Sequence, residues 1–171
     1  MSEEKVRRHP ITALVKNESG VLARVSGLFS RRGFNIDSLA VGETADPSYS
    51  RMSIVVKGNK RELDQVVKQL EKLIDVIEVV DLSRQSHIER ELALIKVRAT
   101  AEDRSEIVEL ADIFQAEVVD VTKDSLTLEA TGDVRKVAAL ENMLKEFGIE
   151  QMARTGQVVL GRASGEGEER I

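Results

Sequence analysis

One order of hydrophobic periodicity occurs twice in this chain of 171 residues. Apolar positions recur with period two, then 3.6, then in two further period-two runs, then 3.6, then two again. In the first pass, Ile11, Ala13 and Val15 alternate with Thr12, Leu14 and Lys16 in a strand over His9–Lys16. Val21, Leu22, Val25, Leu28 and Phe29 follow one helical face that stops at Gly33. Asn35–Val41 and Tyr49–Lys57 read as two strands of a hairpin around Ala45-Asp46-Pro47-Ser48. Asn59-Lys60-Arg61-Glu62 has the spacing of a capping box, and Leu63, Val66, Val67, Leu70, Leu73 and Ile74 form the helical stripe behind it. Val76–Leu82 closes the pass as a strand.

The second pass follows the polar stretch Ser83–Glu91. Leu92–Thr100 predicts a strand, Ser105–Gln115 a helix, and Glu117–Thr122 with Leu126–Thr131 a hairpin turning at Lys123-Asp124. Asp133 can cap a helix carrying Val134, Val137, Ala138, Glu141 and Leu144, which stops at Gly148. A final strand falls between Ile149 and Leu160. The order in both passes is βαββαβ, so the expected class is α+β, two tandem ferredoxin-like units. Their bounds are 8–83 and 92–162, with a linker over 84–91 and a small, charged, disordered tail over 163–171.

Composition removes several classes of function. The net charge of −5, with 32% charged residues of mixed sign, argues against a nucleic-acid footprint. Arg32-Gly33-Phe34 echoes the start of an RNA-recognition signature but falls at a helix end, without the aromatic platform. With no cysteine there is neither a disulfide framework nor a thiolate nucleophile. His9 and His87 lack metal-ligand spacing, and Gly20, Gly27 and Gly33 are too far apart for a dinucleotide loop. No metal site and no catalytic set are expected. The polar N-terminus and short apolar runs predict a soluble, cytoplasmic protein. Small domains bury only about 60% of their unfolded surface, which favours pairing with another subunit.

One loop invites a ligand. Asn17-Glu18-Ser19-Gly20 joins a strand to the start of a helix, where unpaired backbone N–H groups at the positive helix end favour an anion such as a carboxylate. Gly20 allows close approach, and the amides of Asn17 and Asn35 can both donate and accept, as a zwitterion requires. The competing reading is a plain cap and turn, which spacing alone favours.

Asn17–Val25, Gly27-Leu28-Phe29 and Arg32–Ile36 closely resemble the ACT domain of the small regulatory subunit of acetolactate synthase (acetohydroxyacid synthase). The resemblance continues through Ser50-Arg51-Met52, His87–Val97, Asp120-Val121-Thr122 and Ala153-Arg154-Thr155-Gly156. It implies that 8–83 is an ACT domain for effector binding and dimerisation, and that 92–162 is a C-terminal regulatory domain. It further implies a non-catalytic subunit that activates the thiamine-diphosphate catalytic subunit and confers feedback inhibition by valine, leucine or isoleucine in branched-chain amino-acid biosynthesis. Thiamine diphosphate, magnesium and FAD would belong to the large subunit. Asn17, Gly20 and Asn35 would contact the effector at a homodimer interface, and the helix start adds Ser19 and Val21. A free-standing ACT-type amino-acid sensor acting on another protein is the alternative. Arg154 reads either as a surface charge or as a contact to the catalytic subunit or the second domain.

Overall fold

The computed structural model describes residues 7–163. The chain divides into two compact units, one spanning 89–156 and the other formed by the residues on either side of it.

In the first unit the elements are β1 (Arg7–Lys16), α1 (Val21–Arg32), β2 (Ile36–Glu43), β3 (Tyr49–Gly58), α2 (Lys60–Leu70) and β4 (Val76–Asp81). The sheet is antiparallel in the order β2-β3-β1-β4, with β2 and β4 at its edges. Alternation places Ile11, Ala13, Val15, Met52, Ile54 and Val56 on the face that α1 and α2 cover with Val25, Leu28, Phe29, Leu63, Val66 and Leu70. Asn59 and Glu62 cap α2 reciprocally, the Asn59 side chain accepting from the Glu62 N–H at 3.0 Å and the Glu62 carboxylate accepting from the Asn59 N–H at 2.8 Å. Such a cap contributes about 1 kcal/mol.

The second unit repeats the order with β5 (His87–Arg98), α3 (Arg104–Ile113), β6 (Glu117–Val121), β7 (Ser125–Gly132), α4 (Val134–Leu144) and β8 (Ile149–Arg154). Its strand order, β6-β7-β5-β8, matches that of the first sheet position for position. The core gathers Ala93, Ile95, Val97, Leu126, Leu128 and Ala130 from the sheet with Ile107, Leu110, Val137, Leu140 and Leu144 from the helices. Asp133 caps α4 by accepting from the Lys136 N–H at 2.8 Å. That bond is the largest cause holding its carboxyl below the usual range.

Three sequence expectations need correction. The stripe of α2 does not reach Ile74: the helix ends at Leu70, the chain turns through 71–75 into β4, and Ile74 is 86% exposed. The polar stretch 84–91 is not wholly a linker, because β5 begins at His87. Side-chain polarity there hid a backbone that is already extended, and Glu91 is buried because Arg154 of β8 reaches its carboxylate. The last strand is two strands: β8, and β9 (Val158–Gly161), which leaves 89–156 and lies with the first unit. β9 pairs with β5, whose first two residues also lie in the first unit. Val159 is 1% exposed, and its N–H donates to the Ser53 hydroxyl of β3 at 3.1 Å. Residues 157–162 were expected in the second unit. Three consecutive apolar residues, Val158 to Leu160, do not say which sheet they cover. The expected disordered tail lies, apart from Ala163, outside the described residues.

Candidate functional site

The loop between β1 and α1 is organised by its backbone. Gly20 stands at the N-cap of α1 with φ +85° and ψ −11°, a left-handed conformation that a β-carbon would strain. No side chain caps the helix and no acidic residue lies in its first turn. The Val21 N–H reaches the Glu18 carbonyl at a long 3.4 Å and the Arg24 N–H reaches Gly20 O at 3.0 Å. The N–H groups of Leu22 and Ala23 have no partner among the described residues. Donors of this kind, at the positive end of a helix, favour an anion.

Asn17 does not cap the helix, contrary to the reading that spacing alone favours. Its Nδ2 donates to the Pro47 carbonyl at 2.9 Å and to the Glu43 carboxylate at 3.1 Å, while its N–H meets Ser48 O at 2.8 Å. The β2–β3 connection therefore holds the amide, and its Oδ1 is the atom that can accept from an ammonium group. Ser19 is exposed, with no side-chain partner among the described residues. Val21 is buried at 3% exposure and fixes the first turn to the core, so only its backbone can serve a ligand.

Two residues that the sequence reading missed complete the loop. Arg24 lies one turn along α1, and its Nη1 is 3.2 Å from the point where a Gly20 β-carbon would stand. Its Nε donates to Asp75 at 2.6 Å, and Asp75 is nearly buried, with 9% side-chain exposure. A cation is thus fixed beside the unfilled N–H groups. The signal available in the sequence was the four-residue spacing from Gly20 to Arg24, which puts both on one helix face; Asp75, 51 residues on from Arg24, left none.

Asn35 is not brought to this loop within one chain. It precedes β2, and Asn17 binds Glu43 at the other end of that strand. Eight strand residues put roughly 25 Å between the two ends. Near Asn35, Asp37 receives Lys57 at 2.6 Å and Arg8 at 3.1 Å. The Lys57 hydrogen bond is the largest cause holding the Asp37 carboxyl below its usual range, with burial opposing it. A cleft of about 330 Å³ lined by Arg7, Arg8, His9, Lys60 and Arg84 contains none of the expected site residues. Inside it His9 is locked, with Nε2 3.0 Å from Gly58 O and Nδ1 3.0 Å from Ser83 Oγ. No helix among the described residues is long and apolar enough to cross a membrane.

Similarity to known proteins follows both units. The family described as AHAS small subunit-like ACT domain matches residues 11–78, and the family described as small subunit of acetolactate synthase matches 90–163. A probable acetolactate synthase small subunit of Archaeoglobus fulgidus is 52% identical over 92% of this chain and 98% of its own length. The acetolactate synthase small subunit of Mycobacterium leprae is 52% identical over 90% of this chain and 91% of its own. Among solved structures, the small subunit of acetolactate synthase from Thermotoga maritima superposes with a TM-score of 0.85 at 42% identity, covering 92% of this chain and 99% of that one.

Proposed function

The chain belongs to the acetolactate synthase small-subunit family, and from this premise we propose that it is a non-catalytic regulatory subunit that activates a large catalytic subunit and confers feedback inhibition by a branched-chain amino acid, valine in the first instance. The observation that carries the effector reading is the uncapped start of α1. Two N–H groups without partners, a left-handed Gly20 and the Arg24 guanidinium stand together at the helix start, where an α-carboxylate would be received, and the ammonium is assigned to Oδ1 of Asn17 in the same loop. The exposed side chain of Leu22 offers an aliphatic neighbour.

The same reading explains why Asn17 and Asn35 stand at opposite ends of β2. β2 is an edge strand, and Val41 on it and Leu22 on α1 are about half exposed. Two copies joined antiparallel along β2 would bury this edge and continue the sheet. A two-fold axis at Leu39 and Ala40 would set Ile36 of one copy opposite Glu43 of the other. Asn35 of each copy would then meet the Asn17–Gly20 loop of its partner, giving two effector sites per dimer, each built from both chains. Thiamine diphosphate, magnesium and FAD would reside on the large subunit, in the cytoplasm. Among the described residues no three metal-ligating side chains come together, and no catalytic step is assigned to this chain.

The test is reconstitution. The purified chain with thiamine diphosphate, magnesium and FAD should convert no pyruvate, and adding it to the large subunit should raise that subunit's turnover and make it sensitive to valine. Pyruvate turnover by the isolated chain, or a large subunit indifferent to its addition, would contradict the proposal.

A further inference from the structure

We propose that Gln157–Arg162 is a transmission strap, which carries the state of the effector edge from the first sheet into 89–156; the inference rests on the regulatory function proposed above. β9 in the strap pairs with β5, and three backbone donors hold the strap to the first unit, two of them to strand hydroxyls and one to the connection before β5. The Gln157 N–H donates to the Ser38 hydroxyl on β2 at 2.7 Å, the Val159 N–H to Ser53 on β3 at 3.1 Å, and the Arg162 N–H to Ser86 O at 2.8 Å. Ser38 lies in the edge strand that the proposed dimer seam and both effector sites share.

The chain connection is short. Thr155 is fixed within 89–156: its N–H donates to Leu92 O at 3.0 Å, and its hydroxyl accepts from the Leu92 N–H at 3.1 Å. Gln157 is already clipped to β2. Only Gly156 separates them, with φ +78°. A single residue has no slack, so a shift of β2 that moves Gln157 must be passed on to Thr155 and β8 or break one of the clips. A left-handed backbone at this point admits glycine with least strain, which gives the Gly156 of the Ala153–Gly156 segment a physical reason.

The seat of the strap is also imperfect. The side-chain oxygen of Gln157 is buried with no hydrogen-bond partner among the described residues. A buried acceptor without a donor makes this seat less favourable than one in which every polar atom is paired.

The experiment uses the full chain and the reconstituted holoenzyme. A Gly-Ser insertion after Gly156 supplies slack while leaving every clip able to form, and Ser53→Ala removes one clip at unchanged length. For both variants valine binding to the subunit, read by calorimetry, should stay within about twofold of the parent, and activation of the large subunit should persist. Inhibition should need roughly tenfold more valine or reach a shallower plateau, a shift within the usual range of allosteric coupling. Inhibition in both variants at the parental concentration and depth would overturn the strap, as would loss of binding in step with inhibition. A parent chain that binds none of valine, leucine and isoleucine would instead overturn the regulatory reading, and this proposal with it.

Discussion

Replacing Gly20 by aspartate is expected to abolish inhibition by valine while leaving activation of the large subunit largely intact. Aspartate can adopt a left-handed backbone at a cost of about 1 to 2 kcal/mol, so the fold should survive. The new side chain would leave Gly20 toward the Arg24 guanidinium, whose Nη1 is 3.2 Å from the added β-carbon. Its carboxylate would pair with that cation and stand before the N–H groups of Leu22 and Ala23, so the mutant fills the anion seat with its own charge. Losing two charge-assisted hydrogen bonds at about 1.5 to 3 kcal/mol each weakens an effector by roughly 10² to 10⁴-fold. A site that does not bind cannot shift an equilibrium. Gly20→Ala, which adds the β-carbon without the charge, should fall between. Valine titration of the reconstituted enzyme reads the result; parental inhibition of the aspartate variant would place the effector elsewhere.

Arg154→Ala should destabilise the second unit by about 3 kcal/mol. Arg154 on β8 donates to Glu91, whose side chain is only 3% exposed, and its other Nη lies 3.5 Å from Glu141 of α4. Removing the cation leaves a buried carboxylate without compensation and two like charges in one region, which typically costs 3 to 5 kcal/mol; the lower end applies because Arg154 is about one-third exposed. Thermal unfolding should shift down by more than about 10 °C for a unit of this size. Glu91→Leu combined with Arg154→Leu should recover most of the loss, because the charge that needed a partner is gone. A single variant as stable as the parent would mean that Glu91 does not depend on Arg154 for its compensation.

Much of this architecture was legible in the sequence because it follows from periodicity and caps. The alternation in Ile11–Val15 and Tyr49–Lys57, the box at Asn59 and the aspartate before α4 each act locally, and each appears where the pattern puts it. What the sequence concealed depends on contacts between distant residues. Val158–Leu160 carries a strand pattern, yet its place with the first unit rests on Ser38 and Ser53, more than a hundred residues away. Arg154 read as a surface charge or as a contact to the catalytic subunit or the second domain, because its partner Glu91 sits in a run of polar residues that reads as a linker. At the loop, motif and resemblance picked out Asn17 and Gly20; Arg24 was signalled only by its four-residue spacing from Gly20, and Asp75 was missed because an ion pair between a helix and a remote turn has no sequence signature. Asn35 shows the converse. Its amide and the resemblance singled it out, but no single chain brings it to the loop, and the effector role proposed for it there needs a second copy.

Mixed dimers test that requirement most directly. Gly20→Asp and Asn35→Ala should each lose valine binding as homodimers, since each breaks both sites. In a heterodimer of the two variants, one site would combine the intact loop of the Asn35→Ala chain with the intact Asn35 of the Gly20→Asp chain, and the other would carry both defects. Calorimetry on purified heterodimers should therefore recover one valine per dimer at near-parental affinity. Heterodimers that bind no valine at all, although both chains fold and pair, would contradict a site shared across the β2 seam.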